Sequence, residues 1–179
     1  NCDMAGEVGT IYAKLKKHAE AAIWFEKRIK CGKKIVANDY YFLGRSLYYT
    51  KQYVKADSAF SSYVKTQPAI PFGYIWRGRC NAAQDTGKVM KGLALPYYTK
   101  VIELVKPEEL EKGKKDVEEA YDYLGSYYVS NKEYAFAKCC YEKIVAMNSG
   151  TDKFKKVQEF LKNGTEFKGV TAAPDCIKK

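Results

Sequence analysis

Histidine is nearly absent from this 179-residue sequence, with His18 its only copy, so a multi-histidine metal site cannot be assembled from it. Arginine is scarce too: Arg28, Arg45, Arg77 and Arg79 are four of 31 basic residues. No apolar run approaches the roughly 18 residues that a membrane-spanning helix needs. No phosphate-cradling glycine loop, G-x-S-x-G elbow or H-E-x-x-H is present. His18 reads as a structural or surface histidine at the start of a helix. The carboxylates of Glu118 and Asp122, four residues apart, read as solvated helix-face chemistry without a partner for acid–base work. The expectation is a chain with no catalytic residues, no metal and no cofactor, hence not an enzyme.

What the sequence does hold is lysine and tyrosine. Against 21 acidic residues the 31 basic ones give +10 and a sequence pI near 9.2, and 27 of the positive charges are lysine. A basic balance favours anionic partners, but lysine is also the commonest solvating charge, so a lysine coat accounts for much of it. The 16 tyrosines can line helix seams or supply a binding surface.

The six cysteines are Cys2, Cys31, Cys80, Cys139, Cys140 and Cys176, with no C-x-x-C spacing. Cys31, Cys80, Cys139 and Cys140 fall in helical patterns and are expected to be buried thiols. The chain begins at Asn1 and reads as a processed or excised piece. Cys2 beside it is compatible with a lipid-anchored terminus, but the small and apolar residues that precede such a cysteine are absent.

Self-similarity is the strongest signal. Gly9, Gly44, Gly78 and Gly125 each sit inside a helical apolar pattern, where glycine costs roughly 1 kcal/mol against alanine. An alanine follows 12 residues later at Ala21, Ala56 and Ala137, and 16 later at Ala94. Four residues beyond each alanine stands a ring: Phe25, Phe60, Tyr98 and Tyr141. A glycine facing an alanine lets two helix axes approach to the near end of the usual 8–10 Å range, and the ring fills the gap beside them.

This pattern resembles the tetratricopeptide repeat (TPR), a 34-residue helix-turn-helix unit with the signature W-x2-L-G-x2-Y, A-x3-F, P. The second unit matches best, through Tyr40, Leu43, Gly44, Leu47, Ala56, Phe60 and Pro68; the fourth follows through Tyr121, Leu124, Gly125, Tyr128, Ala137 and Tyr141. The third departs, with Arg77 and Asn81 at the usual leucine and tyrosine positions and four extra residues near Asp85, Thr86 and Gly87. The resemblance implies an all-α fold, an α-α superhelix (TPR solenoid) of about four helical hairpins plus a C-terminal capping helix. Expected units are about 2–35, 37–70, 71–107 and 114–148, with a cap at 152–162, making a repeat domain over 1–163 and an irregular or frayed tail over 164–179. Helices are expected near 3–15, 19–31, 37–50, 53–66, 70–84, 92–105, 114–131, 134–147 and 152–162.

In TPR arrays the first helices line a concave groove. Carried over by position, the resemblance implicates Asn38, Tyr41, Arg45, Tyr48 and Tyr49, then Phe72, Ile75 and Arg79, then Glu119, Asp122 and Ser126. Arg45 and Arg79 each follow a repeat glycine and are expected on one wall, where two guanidinium groups beside tyrosines suit a carboxylate. The alternative is that the rings pack between first helices and the arginines pair with Glu119 or Asp122. The lysine and asparagine clamp of chaperone-binding relatives is not evident at the matching positions.

The function implied is a protein–protein interaction module or scaffold that binds a peptide or protein segment, acidic or carrying a free carboxylate. Nucleic-acid or polyanion binding through the basic surface is the second reading, and a spacer or dimerisation segment of a larger protein the third. RNA-reading helical repeats use a fixed polar pair in each unit, which is not found here. The stretches Tyr74-Ile75-Trp76-Arg77 and Leu95-Pro96-Tyr97-Tyr98 and the Tyr121-to-Tyr128 block are similar to bacterial cell-envelope TPR proteins, which implies a periplasmic or envelope location.

Overall fold

A computed structural model describes residues 2–32 and 34–177, with side chains from Met4 onward; the lipid-anchor reading of Cys2 lies outside the described side chains. Among the described residues all regular structure is helical. The helices are α1 (Cys2–Lys14), α2 (His18–Lys30), α3 (Ala37–Tyr49), α4 (Tyr53–Thr66), α5 (Pro71–Ala82), α6 (Leu95–Leu104), α7 (Leu110–Ser130), α8 (Tyr134–Met147) and α9 (Asp152–Asn163). None is long and apolar enough to cross a membrane. The chain divides into two compact units, Asn1–Gln84 and Asp85–Lys179. In the first, each helix from α1 to α4 packs on its successor, ending at α5; in the second, each from α6 to α8 does so, ending at α9.

The hairpins are closed by a ring laid on a glycine. A Cβ added to Gly9 would stand 3.0 Å from the Phe25 ring, and one on Gly44 would stand 2.8 Å from the Phe60 ring. Gly125 lies against the ring of Tyr141 in the same way. The facing alanines, Ala21, Ala56 and Ala137, are fully buried. Any side chain on these glycines would push the two helices apart and open the core.

A second regularity was not read from the sequence. Seven residues after three of the repeat glycines, Lys16, Lys51 and Lys132 adopt the left-handed conformation, with φ of 58°, 61° and 61°. Each turn has the same pair of closing bonds. The amide of Lys51 donates to the Tyr48 carbonyl and that of Gln52 to the Leu47 carbonyl, both at 2.9 Å; Lys16 and Lys17, and Lys132 and Glu133, repeat the pattern. These are Schellman closures, in which glycine is the usual occupant, and lysine hides the signal.

At the corresponding place in the third repeat stands Asp85, where the extra residues begin. Its buried carboxylate accepts from the amides of Lys91 (2.7 Å), Gly92 (2.9 Å) and Leu93 (3.2 Å) and from the Tyr123 hydroxyl (2.6 Å). Burial alone would raise its pKa, but these four donors outweigh that and lower it. The insertion is thus a loop wound around one carboxylate. It delays α6 to Leu95, where Pro96 suits the first helical turn. Helix α7 in turn starts at Leu110, earlier than expected, behind a 3-10 turn at Pro107–Glu109.

Two expectations are corrected. Cys31 and Cys139 are disulfide-bonded rather than buried thiols, and Cys139 pairs with Cys176 at a Cα–Cα distance of 5.2 Å. Cys80 and Cys140 do remain as buried thiols, pushed up to about 12 by burial. The tail is irregular but fastened, not frayed. Besides the disulfide, the Ala173 amide donates to the Ala135 carbonyl (2.9 Å) and the Lys138 ammonium to that of Val170 (2.7 Å). Phe167 is buried against Tyr141 and Phe160. The tail covers α8, whose sequence pattern gives no hint of that cover.

Two glycine exchanges of opposite sense test this account by denaturant unfolding. Gly44→Leu should destabilise by about 1–3 kcal/mol through overpacking on Phe60, whereas Lys51→Gly should stabilise by about 0.5–1 kcal/mol by relieving the left-handed turn. Replacing Cys139 and Cys176 together by serine should cost about 2–4 kcal/mol, and an unchanged unfolding midpoint would show that the tail contributes nothing.

Candidate functional site

Trp76 is the hub of the first unit's first-helix face. It is mostly buried, stacked on Phe60 at 5.4 Å between ring centroids and met edge-on by Tyr48 at 5.3 Å. Two guanidinium groups lie over its ring, that of Arg45 from α3 at 5.6 Å and that of Arg79 from α5 at 4.8 Å. Arg45 also lies 5.4 Å from the Tyr41 ring and 5.7 Å from the Tyr49 ring, and its Nη1 donates to the Tyr41 hydroxyl at 3.0 Å. Cation–π contacts of this kind contribute about 0.5–2 kcal/mol, the more the drier the site.

The four arginines therefore divide into two kinds. Arg28 meets Asp39 at 3.4 Å and donates to the Lys34 carbonyl, tying α2 to α3. Arg77 grips Asp57 with two bonds of 2.9 and 3.1 Å, helped by Asn81, tying α5 to α4. This explains why the third repeat departs from its signature at those two positions. Arg45, by contrast, is held by rings and hydroxyls, and its Nε is buried without a hydrogen-bond partner. Burial works against its charge, but hydrogen bonds to Tyr49 and Tyr41 outweigh this and raise its pKa.

Beside Arg45 opens a cavity of about 620 Å³ lined by Thr10, Ala13 and Lys14 of α1, Lys16 and His18 at the following turn, and Phe42, Arg45, Ser46 and Tyr49 of α3. Two lysines, an arginine and the histidine line it, and no acidic residue does. The His18 ring stacks on Tyr49 at 4.5 Å, and its Nδ1 is buried without a partner. Burial, then Arg45, then Lys16 lower the His18 pKa, so the ring is neutral at pH 7.

Of the residues implicated from the sequence, Tyr41, Arg45, Tyr48, Tyr49, Phe72 and Arg79 gather around Trp76. Tyr41 meets Phe72 at 5.0 Å, and Tyr49 and Phe72 keep substantial exposed surface. Asn38 is exposed near the start of α3. Ile75 is fully buried, because its place on α5 turns it into the core, and it cannot present itself to a ligand. In the second unit Glu119 accepts from the Tyr98 hydroxyl at 2.9 Å, Asp122 pairs with Lys153 of α9 at 2.6 Å, and Ser126 lies 3.5 Å from the Tyr141 hydroxyl.

Sequence reasoning missed Trp76 and His18. Trp76 stands four residues after Phe72 and three before Arg79, a spacing that puts all three on one helix face. The charge carried a further signal. The first unit holds 14 basic against 6 acidic residues, a net +8, and the second 17 against 15, a net +2, so the excess is not an even coat.

As the only histidine, His18 can be titrated directly by proton NMR. Its midpoint should fall below the usual value of about 6.5, and Arg45→Gln should raise it. The sign for stability follows: the neutral ring is favoured in the folded state, so stability is lost as pH falls from the unfolded value through the folded one.

No family model and no curated protein matches the chain. A solved structure does: the C-terminal part of a TPR repeat-containing protein from Cytophaga hutchinsonii, 35% identical over 87% of this chain with a TM-score of 0.77. This chain spans 59% of that solved chain. Repeat spacing, ring-on-glycine hairpins and this neighbour agree on an all-helical, TPR-like repeat fold.

Proposed function

We propose that the chain is a protein-interaction module without chemistry of its own, which holds an acidic segment of a partner protein across the face of α1, α3 and α5. The observation that carries this is Arg45, a guanidinium stacked on rings with a buried nitrogen left unbonded, in a unit whose net charge is +8. Aromatic residues and arginine are the side chains that dominate protein interfaces. Tyr41, Tyr48, Tyr49, Phe72 and Trp76 supply rigid apolar contact, Arg45 and Arg79 supply direction, and Asn38 adds a polar group at the edge.

The disulfide at Cys31 and the Cys139–Cys176 bridge support an oxidising compartment, which suits a periplasmic or envelope protein better than a cytosolic one. Arginine scarcity counts against nucleic acid, since planar bidentate recognition of phosphate relies on that side chain.

The test is fluorescence polarisation of a labelled, capped peptide containing Glu-Phe-Glu against the full chain. Arg45→Glu with Arg79→Glu should weaken binding by at least about tenfold, equal to about 1.4 kcal/mol, with the helical circular dichroism unchanged. Retention of full affinity by that folded double variant overturns the proposal.

A further inference from the structure

We propose that the cavity between α1 and α3 seats one acidic side chain of the partner segment, and that protonation of His18 is coupled to its capture. The inference rests on the acidic-partner reading above and adds where one carboxylate sits and what regulates the grip.

The cavity, at about 620 Å³, is within the range of sites that enclose small groups rather than of flat contact surfaces. Ala13, Phe42 and Tyr49 give it apolar wall against which a methylene stem can lie, and Thr10 and Ser46 bring hydroxyls. What is unusual is the charge. Lys14 from α1, Lys16 from the turn and Arg45 from α3 line the cavity together with His18, with no carboxylate among the lining residues. On its own side His18 is flanked by exposed Lys17 and, two residues on, exposed Glu20. Like charges gathered around a partly desolvated space repel one another, and an anion entering there is attracted by all of them at once.

His18 is fixed by its stack on Tyr49, and its Nδ1 is buried and unbonded. In the empty cavity the neighbouring cations oppose its protonation. A carboxylate placed among them cancels that field and adds an attraction, so the ring takes up a proton when the anion binds. The coupling is reciprocal: whatever factor the carboxylate adds to proton affinity, the proton adds to carboxylate affinity. Binding therefore tightens as pH falls through the histidine range, while glutamate side chains stay ionised above about pH 5.5.

The experiment uses the full chain and two capped peptides, one containing Glu-Phe-Glu and one with glutamine in place of each glutamate. Polarisation is read at about pH 8 and about pH 5.5, and His18 is followed by proton NMR with and without peptide. The expected result is a Kd that tightens about tenfold on acidification, a His18 midpoint raised by about one unit by the Glu peptide only, and a flat pH profile for His18→Asn. A Glu peptide that binds with pH-independent Kd and leaves the His18 resonance unmoved overturns the socket while the interaction face stands. Equal shifts of His18 by the Gln peptide, or by inorganic phosphate, overturn the carboxylate assignment. Failure of the Glu peptide to bind at either pH overturns both readings.

Discussion

The contact on which this fold depends is that of an aromatic ring with a glycine of the preceding helix. At Gly44 the Phe60 ring occupies the space of the missing side chain, and the same arrangement recurs at Gly9 with Phe25 and Gly125 with Tyr141. Burying a large side chain this way contributes about 1.5–3 kcal/mol, which is more than the roughly 1 kcal/mol that glycine costs a helix. The exchange is favourable only if the helices stay close. The short Schellman turns hold them there, and this explains why lysines tolerate left-handed backbone at three equivalent positions.

Once the rings of the second helices are committed to the glycines, the first helices of the opening unit hold a surplus of aromatic side chains. Trp76, Tyr41 and Tyr48 cluster, Arg45 settles on the Tyr41 face, and the Arg79 guanidinium lies over Trp76. A guanidinium satisfied by ring faces keeps its full charge for a ligand, whereas one locked to a carboxylate, as Arg77 is to Asp57, does not. The same helical pattern thus yields arginines that tie helices together through an aspartate and one, Arg45, that is held by aromatic rings and hydroxyls.

Much of this was legible in the sequence. The recurring glycine, alanine and ring fixed the hairpins because each is a steric requirement at a definite spacing. Tyr41, Arg45, Phe72 and Arg79 share one aromatic cluster because helix periodicity places the residues of each helix on one face. Ile75 was misplaced because a shift of one residue on a helix turns a side chain by about 100°, enough to carry it from groove to core. Disulfides cannot be read from spacing: Cys139 and Cys176 meet only because the tail returns over α8. His18 was passed over as a lone histidine, since its stacking on Tyr49 and the basic cavity around it arise from three separate segments.

The second unit offers the same repeat geometry but little free charge to a ligand. Its acids on the α7 face are already engaged: Glu118 by Thr151 at 2.5 Å, Glu119 by Tyr98 and Asp122 by Lys153. Two of those donors come from the start of α9 and the residue that caps it, so in this unit the capping helix takes up the acids of α7. Its basic and acidic residues nearly balance, while the first unit keeps an excess of eight positive charges. Electrostatic attraction falls off within a Debye length of about 8 Å at physiological salt. A charge surplus confined to one unit therefore gives repeats of equal architecture unequal electrostatic surfaces.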